Sequence, residues 1–452
     1  MTKEMDKIAA MAINTSDNAV FALCNGETVS YARFWQHVSA LSSLLPKQQY
    51  LINYYEDRYL FSVALFSAAL NGITTLLPPS KSSGMVLELE HEYGSLCAIS
   101  DQILSGFSIK QVIINLESLE RQTHSHRPPK SSNIFLDPQQ VMAIAFTSGS
   151  TGHPKAQLKH WGGFIDCAQL AIQQLGLENQ QCAMLSTTPP QHMFGLETSV
   201  MWPYISKLVL VNQRPFYPED IRQTVQSMPY PVVLCSTPTH LRACVRSAGQ
   251  WTNLAAIVSS TAPLSSALAN EVETVMGADV HELYGSTETL SYASRRAADQ
   301  TVWTPYPGVK LETQGKTTHL NATYLQQPVL LDDVFDIQPN GQFKVIGRAT
   351  DLVKIGGKRA SIVELNQRLQ AIPGITDGCF FRIEHADADQ RLGVVVVSNN
   401  NPEMITAELK QHLDEVFLPR SVYYAETIPR NNLGKLVDAE IKSLIARLKR
   451  SF

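Results

Sequence analysis

The sequence predicts an α/β protein with a large N-terminal α/β region and a small α+β region at the C-terminus. Apolar runs rich in β-forming residues alternate with helix-like stretches along most of the chain, at 111–115, 141–146, 207–211, 231–235 and 255–259. This alternation is typical of largely buried sheets covered by helices. The chain has 452 residues, which allows two or three domains at ~150 residues each.

Local patterns give the expected boundaries of the elements. In the N-terminal region, helices are expected over 163–175, 218–228 and 265–276. The segment 336–341 (DIQPNG) is typical of a turn between two strands. Further on, we expect a helix over 361–371, strands over 379–383 and 392–398, and helices over 403–416 and 439–449. This change in the pattern of predicted elements towards the C-terminus predicts two domains, 1–348 and 349–452.

Composition excludes several classes of protein. Apolar residues make up 44% and charged residues 17% of the chain, and the formal net charge is −4. A disordered or fibrous protein is therefore excluded. Without a block of like charge, the sequence also carries no electrostatic signature of nucleic-acid binding.

The cysteines and the most apolar window indicate a cytoplasmic protein without a membrane span. Seven cysteines are scattered without metal-ligand spacing, so we expect reduced thiols. The first twenty residues contain no apolar stretch typical of a signal peptide. The uncharged window 59–80 is interrupted by Asn71-Gly72 and ends in Pro78-Pro79. It predicts a helix over 57–70 and a buried strand over 73–77.

The segment 147–155 (TSGSTGHPK) directly follows a predicted buried strand. Its backbone N–H groups, hydroxyls and lysine are suited to binding phosphate oxygens. It is not the GxxxxGK[ST] loop of P-loop NTPases, because Pro154 stands where that motif needs its second glycine. By itself, such a segment is more often a Ser/Thr/Gly-rich surface turn.

Three more segments contain residues that could take part in ligand binding or catalysis. The segment 282–289 (ELYGSTET) places a tyrosine ring, hydroxyls and two carboxylates at a strand end, which suits a flat base and Mg²⁺ beside phosphates. Gly347-Arg348 is followed by Asp351 and by 354–359 (KIGGKR). The fourth segment, 429–435 (PRNNLGK), places a lysine after a glycine.

These four segments, in this order and spacing, resemble the adenylate-forming superfamily of acyl- and aryl-CoA synthetases, stand-alone adenylation domains and firefly luciferase. The resemblance runs from about residue 50 to 440. It implies an AMP-forming ligase that converts a carboxylic acid and ATP to an acyl-adenylate and pyrophosphate. The acyl group would then pass to a pantetheine thiol, either of CoA or of an acyl carrier protein. The implied fold has packed α/β subdomains in the N-terminal domain and a mobile C-terminal lid.

The resemblance also implies roles for individual residues. Tyr284 would stack on adenine, Thr287 would contact the α-phosphate, and Glu288 would hold Mg²⁺. Lys435 would reach both the carboxylate and the α-phosphate. The remaining residues would bind the β- and γ-phosphates, the nucleoside or the pantetheine: Thr147, Ser148, Gly149, Ser150, Thr151, Gly152, Lys155, Gly285, Ser286, Asp333, Arg348, Gly356 and Gly357.

Four departures from the family pattern bear on these assignments. The Thr-Gly-Asp before the ribose aspartate is Leu331-Asp332-Asp333 here, so Asp333 is assigned by spacing, and Asp332 and Asp336 remain alternatives. The hinge position is Thr350, the turn beside the acid pocket is 260–263 (STAP), and the C-terminal Pro-x-Thr is 429–431 (PRN). None removes a charged catalytic group, so an active enzyme is expected. A non-catalytic relative that binds an acid or nucleotide is the alternative.

The expected acid is an aryl or short acyl acid. His192 and Met193 resemble the segment that lines the acid pocket, and relatives that activate amino acids carry an aspartate where Met193 stands. Ser260 and Thr261 are bulkier than the usual glycines and indicate a modest pocket with polar groups. Such groups favour hydroxylated aryl acids, because an unmatched buried hydroxyl is costly.

Overall fold

The structure is a computed structural model that describes residues 17–78, 81–123, 136–148, 154–315, 317–348, 352–355, 358–383, 391–430 and 436–450. Up to residue 160 the strands are β1 (Val20–Cys24), β2 (Glu27–Ser30), β3 (Tyr50–Asn53), β4 (Thr74–Leu77), β5 (Cys97–Ser100), β6 (Lys110–Ile113), β7 (Val141–Ser148) and β8 (Pro154–His160). The helices of this part are α1 (Tyr31–Leu44), α2 (Arg58–Leu70), α3 (Ser83–Tyr93) and α4 (Leu116–Thr123).

The middle of the chain continues the alternation. Its helices are α5 (Trp161–Gln174), α6 (Met193–Leu196), α7 (Trp202–Ile205), α8 (Pro218–Ser227), α9 (Pro238–Arg246) and α10 (Ser266–Met276). A π-helical turn, Glu197–Met201, joins α6 to α7. Its strands are β9 (Ala183–Ser186), β10 (Val209–Val211), β11 (Val232–Ser236), β12 (Leu254–Ser259), β13 (Val280–Ser286), β14 (Leu290–Arg296) and β15 (Thr304–Pro305).

The last part is richer in hairpins. Its strands are β16 (Lys310–Gln314), β17 (Thr317–Asn321), β18 (Val329–Leu331), β19 (Asp333–Ile337), β20 (Phe343–Arg348), β21 (Leu352–Ile355), β22 (Lys358–Ser361), β23 (Ile375–Ile383), β24 (Arg391–Ser398) and β25 (Val422–Tyr424). Its helices are α11 (Ile362–Gln370), α12 (Pro402–His412) and α13 (Asp438–Arg450).

Two large sheets form the N-terminal region. In the described part of the chain, one has nine strands in the order β15-β14-β13-β12-β11-β9-β10-β1-β2, and the other has six in the order β6-β5-β3-β4-β7-β8. The inner strands of both sheets are parallel, and antiparallel pairing is confined to strands at the ends, such as β7–β8 and β13–β14. Helices α1, α2 and α5 share one apolar core with both sheets. This arrangement confirms the predicted α/β class.

The C-terminal residues have apolar clusters of their own. One contains Val353, Leu365, Phe380 and Val394, and the three-stranded sheet β23-β24-β25 contributes to it. Residues 349–351 lie outside the described part, so the boundary between 1–348 and 349–452 stays a prediction. Mobility of a C-terminal lid stays a prediction as well.

Most predicted elements are present, with small shifts at their ends. The window 59–80 forms α2 and β4 as expected, and no helix among the described residues has the length and apolarity of a membrane span. The helix predicted over 403–416 ends at His412, because Leu413 is extended and Asp414 caps a separate 3-10 turn, Glu415–Phe417. All seven cysteines are buried and unpaired with one another.

Arg58 joins the two large sheets. It is fully buried at the start of α2, which follows β3 of the six-stranded sheet. Its guanidinium donates to the carbonyl oxygens of Ser186 (3.1 Å), Thr188 (2.8 Å), Val211 (3.0 Å) and Gln213 (3.0 Å). These carbonyls lie at the ends of β9 and β10 in the nine-stranded sheet. Burial lowers the pKa of Arg58 to about 10, and the group remains charged at neutral pH.

We expect Arg58→Met to lower the free energy of unfolding by about 3–5 kcal/mol, because three buried carbonyl oxygens and the partly buried one of Gln213 lose their donor. Urea denaturation followed by tryptophan fluorescence measures the change. Arg246→Met, at an exposed arginine of α9, is the matched control and should unfold like the wild type. Equal stability of the two variants would contradict the role assigned to Arg58.

Candidate active site

The segment 282–289 forms the end of β13 and the turn into β14. This turn, residues 286–290, is called the Glu288 turn below. The amide of Ser286 donates to Oγ1 of Thr289 (3.0 Å), and the Thr289 hydroxyl donates to the Leu290 carbonyl oxygen (2.8 Å). A Cβ on Gly285 would collide with that carbonyl oxygen, so the close approach of the two strands requires glycine. Thr287 and Glu288 are half-buried at the tip of the turn.

The hairpin β19–β20 adjoins this segment. The Tyr284 hydroxyl donates to Oδ2 of Asp333 (2.6 Å), and the Tyr284 ring lies 4.8 Å from that of Trp303, between centroids. Asp333 faces Arg348 across the hairpin in the strand register. The structure therefore brings Tyr284, Asp333 and the backbone of Arg348 together.

The two alternative aspartates, Asp332 and Asp336, have exposed side chains. Asp333 is half-buried beside Tyr284, as its contact with the tyrosine hydroxyl requires. The geometry favours Asp333 over the two alternatives, while its contact with ribose stays a proposal.

One of the two carboxylates in this segment has a structural partner. Glu282 is buried and pairs with Arg295 (2.6 Å), and it also accepts a hydrogen bond from the amide of Leu264 (2.9 Å). Burial raises the pKa of Glu282, while Arg295 opposes the change. Glu288 is thus the carboxylate at the tip. A single carboxylate fits Mg²⁺, which proteins usually hold through one or two carboxylates together with substrate phosphates.

The predicted phosphate-binding segment closes the hairpin β7–β8. Thr147 pairs with Lys155 and Ser148 with Pro154, so the two ends of the segment are fixed by strand pairing. The exposed Lys155 belongs to β8. Several predicted residues lie outside the described part of the chain: Gly149, Ser150, Thr151, Gly152, Thr350, Gly356, Gly357 and Lys435.

A buried polar cluster centred on Ser291 lies directly after the Glu288 turn. Glu197 accepts hydrogen bonds from the amide of Ser291 (3.1 Å) and from its hydroxyl. Tyr306 donates to Oγ of Ser291 (3.0 Å). Nζ of Lys159 donates to the carbonyl oxygen of Glu288 (3.1 Å). Two buried charges therefore contact the main chain at and just after the Glu288 turn.

The sequence analysis missed Lys159 and Glu197; only Glu197 carries a signal in the sequence, because the burial of Lys159 is visible in the structure alone. In β8, Leu158 is 55% exposed while Lys159 is 5% exposed, the reverse of the usual preference. Glu197 is the single charged residue between positions 193 and 204. A charge within such an apolar stretch indicates a buried group with a dedicated partner.

Burial changes the acid–base behaviour of both groups. Desolvation raises the pKa of Glu197 to about 7, opposed by the hydrogen bonds from Ser291 and by Lys159. Desolvation lowers the pKa of Lys159 to about 8, opposed by Glu288, Cys167 and Glu197. Both directions follow from the cost of a charge in a medium of low polarity.

The residues predicted to line the acid pocket lie on α6 and after β12. His192 caps α6 by accepting from the amide of Phe194 (3.3 Å), and Met193 is buried. A Cβ on Gly195 would collide with the carbonyl oxygen of Pro189. Helix α6 therefore packs closely on the loop after β9, in which Arg58 donates to the carbonyl oxygen of Thr188. Ser260 donates to the carbonyl oxygen of Leu283 (3.0 Å), which joins β12 to β13.

Hydroxyl groups collect at the carboxyl ends of the parallel strands β9, β11 and β12. Thr187 and Ser236 contact each other at 3.0 Å. Within the described residues, the buried hydroxyl oxygens of Thr188, Ser259 and Thr261 have no hydrogen-bond partner. Buried hydroxyls are normally satisfied, so this edge of the sheet suits a polar ligand. Ligands of open α/β sheets commonly bind at such strand ends.

Comparison with known proteins identifies the family. A family model described as AMP-binding enzyme matches residues 9–328, well over half of the chain. The chain belongs to the AMP-binding enzyme family. This confirms the resemblance to adenylate-forming enzymes that the four motifs indicated.

Relatives of this AMP-binding enzyme include ligases and solved structures. A 2-succinylbenzoate–CoA ligase of Staphylococcus epidermidis is 24% identical over 338 residues, covering 68% of this chain and 70% of that protein. ATP-bound MatB from Rhodopseudomonas palustris has a TM-score of 0.83 at 17% identity, over 97% of this chain and 98% of that chain. A benzoate CoA ligase from Burkholderia xenovorans has a TM-score of 0.79 at 16% identity, over 96% and 99% of the two chains. These similarities confirm the fold.

Glu197→Gln is expected to change how stability depends on pH. The folded-state pKa of Glu197, about 7, lies above its ordinary value of 4.5, so between these values the folded protein binds more protons than the unfolded chain. The stability due to protonated Glu197 is complete below pH 4.5 and is lost as the pH rises through about 7.

Relative to Glu197→Gln, the wild type should therefore lose up to ~3 kcal/mol of unfolding free energy across that interval. Urea denaturation at several pH values measures the difference. Glu178→Gln, at an exposed position, is the control and should follow the wild type. Parallel pH profiles for the wild type and Glu197→Gln would contradict the prediction.

Thr261→Gly is expected to stabilise the protein. Thr261 has a φ of +80°, a conformation that is strained for a β-branched residue. Relief of this strain should raise the free energy of unfolding by about 1 kcal/mol, measured by urea denaturation. Thr261→Ala keeps a Cβ in the left-handed region and should gain less. A glycine variant no more stable than the wild type would show that the backbone is not strained there.

Proposed function

We propose that this AMP-binding enzyme activates a small carboxylic acid with ATP and then transfers the acyl group to a pantetheine thiol. The observation that carries the proposal is the convergence of three motifs. Strand β13, which leads into the Glu288 turn, contacts hairpin β19–β20 through Tyr284 and Asp333, and the turn itself contacts hairpin β7–β8 through Lys159. In a member of the AMP-binding enzyme family, that arrangement fits a nucleoside at Tyr284 and phosphates between the Glu288 turn and the β7–β8 hairpin.

The proposed reaction has two steps. In the first, a carboxylate oxygen attacks the α-phosphorus of ATP, and the bond to the β-phosphate breaks to release pyrophosphate. In the second, the thiol sulfur attacks the acyl carbon and loses its proton, and AMP leaves. Both reactants of the first step are anions, so the barrier requires positive charge at the α-phosphate. Losing one well-placed donor of this kind typically costs ~3–4 kcal/mol of transition-state stabilisation.

The residues of this chain supply the positioning. Thr287 would donate to the α-phosphate, Lys155 and the segment 147–152 would bind the outer phosphates, and Lys435 would approach from the C-terminal domain. Mg²⁺, when held by Glu288, would neutralise charge on the phosphate oxygens. Holding two anions in reactive contact provides a further part of the acceleration.

The acid is proposed to be an aryl or short acyl acid with a polar substituent. The hydroxyl oxygens of Thr188, Ser259 and Thr261, unpartnered within the described residues, support a polar group on the substrate. Ser260 and Thr261 narrow the site compared with glycines, which disfavours a long chain. Met193 offers no charge for an α-amino group, so an amino acid is also disfavoured.

CoA is the acceptor that the names of the relatives support, and an acyl carrier protein is the alternative. The pantetheine of both would pass Gly356 and Gly357 after a rotation of residues 349–452 about Thr350. Thioester formation from a purified acyl-adenylate with CoA, and separately with phosphopantetheinyl carrier protein, distinguishes the two acceptors.

ATP–pyrophosphate exchange with a panel of benzoates, cinnamates and short- to long-chain fatty acids tests the proposed function. We expect exchange with hydroxylated benzoates or cinnamates, and a fall of about a hundredfold or more in Lys435→Ala. Lys207→Ala, at an exposed lysine, is the control and should match the wild type. A wild type no faster than Lys435→Ala with every acid would favour the non-catalytic relative, and a response to long chains alone would overturn the proposed pocket.

A further inference from the structure

Strand β8 buries a lysine and exposes a leucine. Leu158 is 55% exposed and Lys159 is 5% exposed, so the strand presents its charged residue to the interior. Burying leucine at this position would be favourable and burying a charge is costly. The register of β8, fixed by pairing of Leu158 with Ile144 and Lys159 with Ala143, maintains this costly arrangement. A requirement other than burial of apolar surface therefore accounts for Lys159.

Lys159 contacts the residue at the tip of the neighbouring turn. Its Nζ donates to the carbonyl oxygen of Glu288 at 3.1 Å. A hydrogen bond from a cation to a carbonyl oxygen is stronger than one between neutral groups. The contact holds the main chain of Glu288, the residue proposed to bind Mg²⁺.

Glu197 holds the chain three residues further on. It accepts from the amide of Ser291 at 3.1 Å and from the Ser291 hydroxyl, while Tyr324 donates to the Ser291 carbonyl oxygen at 3.1 Å. Glu197 begins the π-helical turn that continues α6, and such turns are frequent at functional sites. Because α6 begins after His192, the same carboxylate joins the proposed wall of the acid pocket to Ser291, the residue directly after the Glu288 turn.

We propose that Lys159 and Glu197 are positioning residues that fix the main chain at and after the Glu288 turn, so that Thr287 and Glu288 meet the ATP phosphates and Mg²⁺. This inference rests on the proposed function for the roles of Thr287 and Glu288. Neither buried charge touches substrate in this arrangement. Buried charges are often no more stabilising than apolar residues of similar volume, so stability alone does not account for Lys159 and Glu197.

Lys159→Met tests the proposal because methionine has a similar shape and no donor. The Mg²⁺ concentration for half-maximal ATP–pyrophosphate exchange should rise about tenfold or more, with little change in KM for the acid. Hydrogen–deuterium exchange of peptides spanning 284–291 should become about tenfold faster, because the turn has lost an anchor. Lys207→Met is the matched control and should match the wild type in both measurements.

The double variant Lys159→Met/Glu197→Gln separates positioning from stability. It removes both buried ionisable groups, so its thermal midpoint should return towards that of the wild type. The Glu288 carbonyl still lacks its donor, so the Mg²⁺ requirement should stay raised. Recovery of the Mg²⁺ response together with stability would overturn the proposal, as would wild-type behaviour of Lys159→Met in both measurements.

Failure of the proposed function gives a different result. If the wild type shows no exchange with any acid, the ligase proposal fails. Faster deuterium exchange at 284–291 in Lys159→Met would still support fixation of the turn by Lys159, and unchanged exchange there would overturn it.

Discussion

The buried guanidinium of Arg58 is the contact on which the arrangement of the two large sheets depends. One cation at the start of α2 reaches four carbonyl oxygens at the ends of β9 and β10. Backbone carbonyls that end a strand inside a protein need a donor, and a single planar group with five N–H donors provides it. The loop after β9 is thereby fixed, and α6 packs on that loop at Gly195.

Buried charge is used in the same way beside the Glu288 turn. Lys159 and Glu197 have main-chain partners there, as Arg58 does, and their positions are set by strand register and by a π-helical turn. The cost of burying these charges is offset by hydrogen bonds that neutral side chains would make more weakly. In all three cases a charge fixes a segment of backbone that leads to the candidate site.

The proposed acid pocket differs in character from the proposed nucleotide site. Around Tyr284 the ring contacts are aromatic, and its hydroxyl donates to Asp333. At the ends of β9, β11 and β12 the side chains are small and carry hydroxyls. Thr261, in a left-handed conformation where glycine would be relaxed, adds bulk and a polar atom at that edge. The proposed ligands, a flat base and a small polar acid, would require these different surroundings.

The sequence by itself determined the fold class, the family and most elements. Apolar periodicity and turn residues act locally, and motifs such as 284–289 consist of consecutive residues that the sequence shows directly. The helix over 57–70 and the strand over 73–77 were predictable for this reason. The spacing from Gly347-Arg348 also predicted Asp333 as the ribose aspartate. The structure adds that Asp333 accepts a hydrogen bond from Tyr284.

Only the tertiary structure decided which charges are structural and which face the site. Glu282 and Glu288 lie six residues apart in one motif, yet Arg295 pairs with the first, and the second stands at the tip of a turn. Lys159 and Glu197 have partners 129 and 94 residues away in sequence, and no local pattern records such a distance. The sequence shows which side chains can carry a charge. Whether such a side chain is buried, and which group it contacts, depends on strands that are remote along the chain.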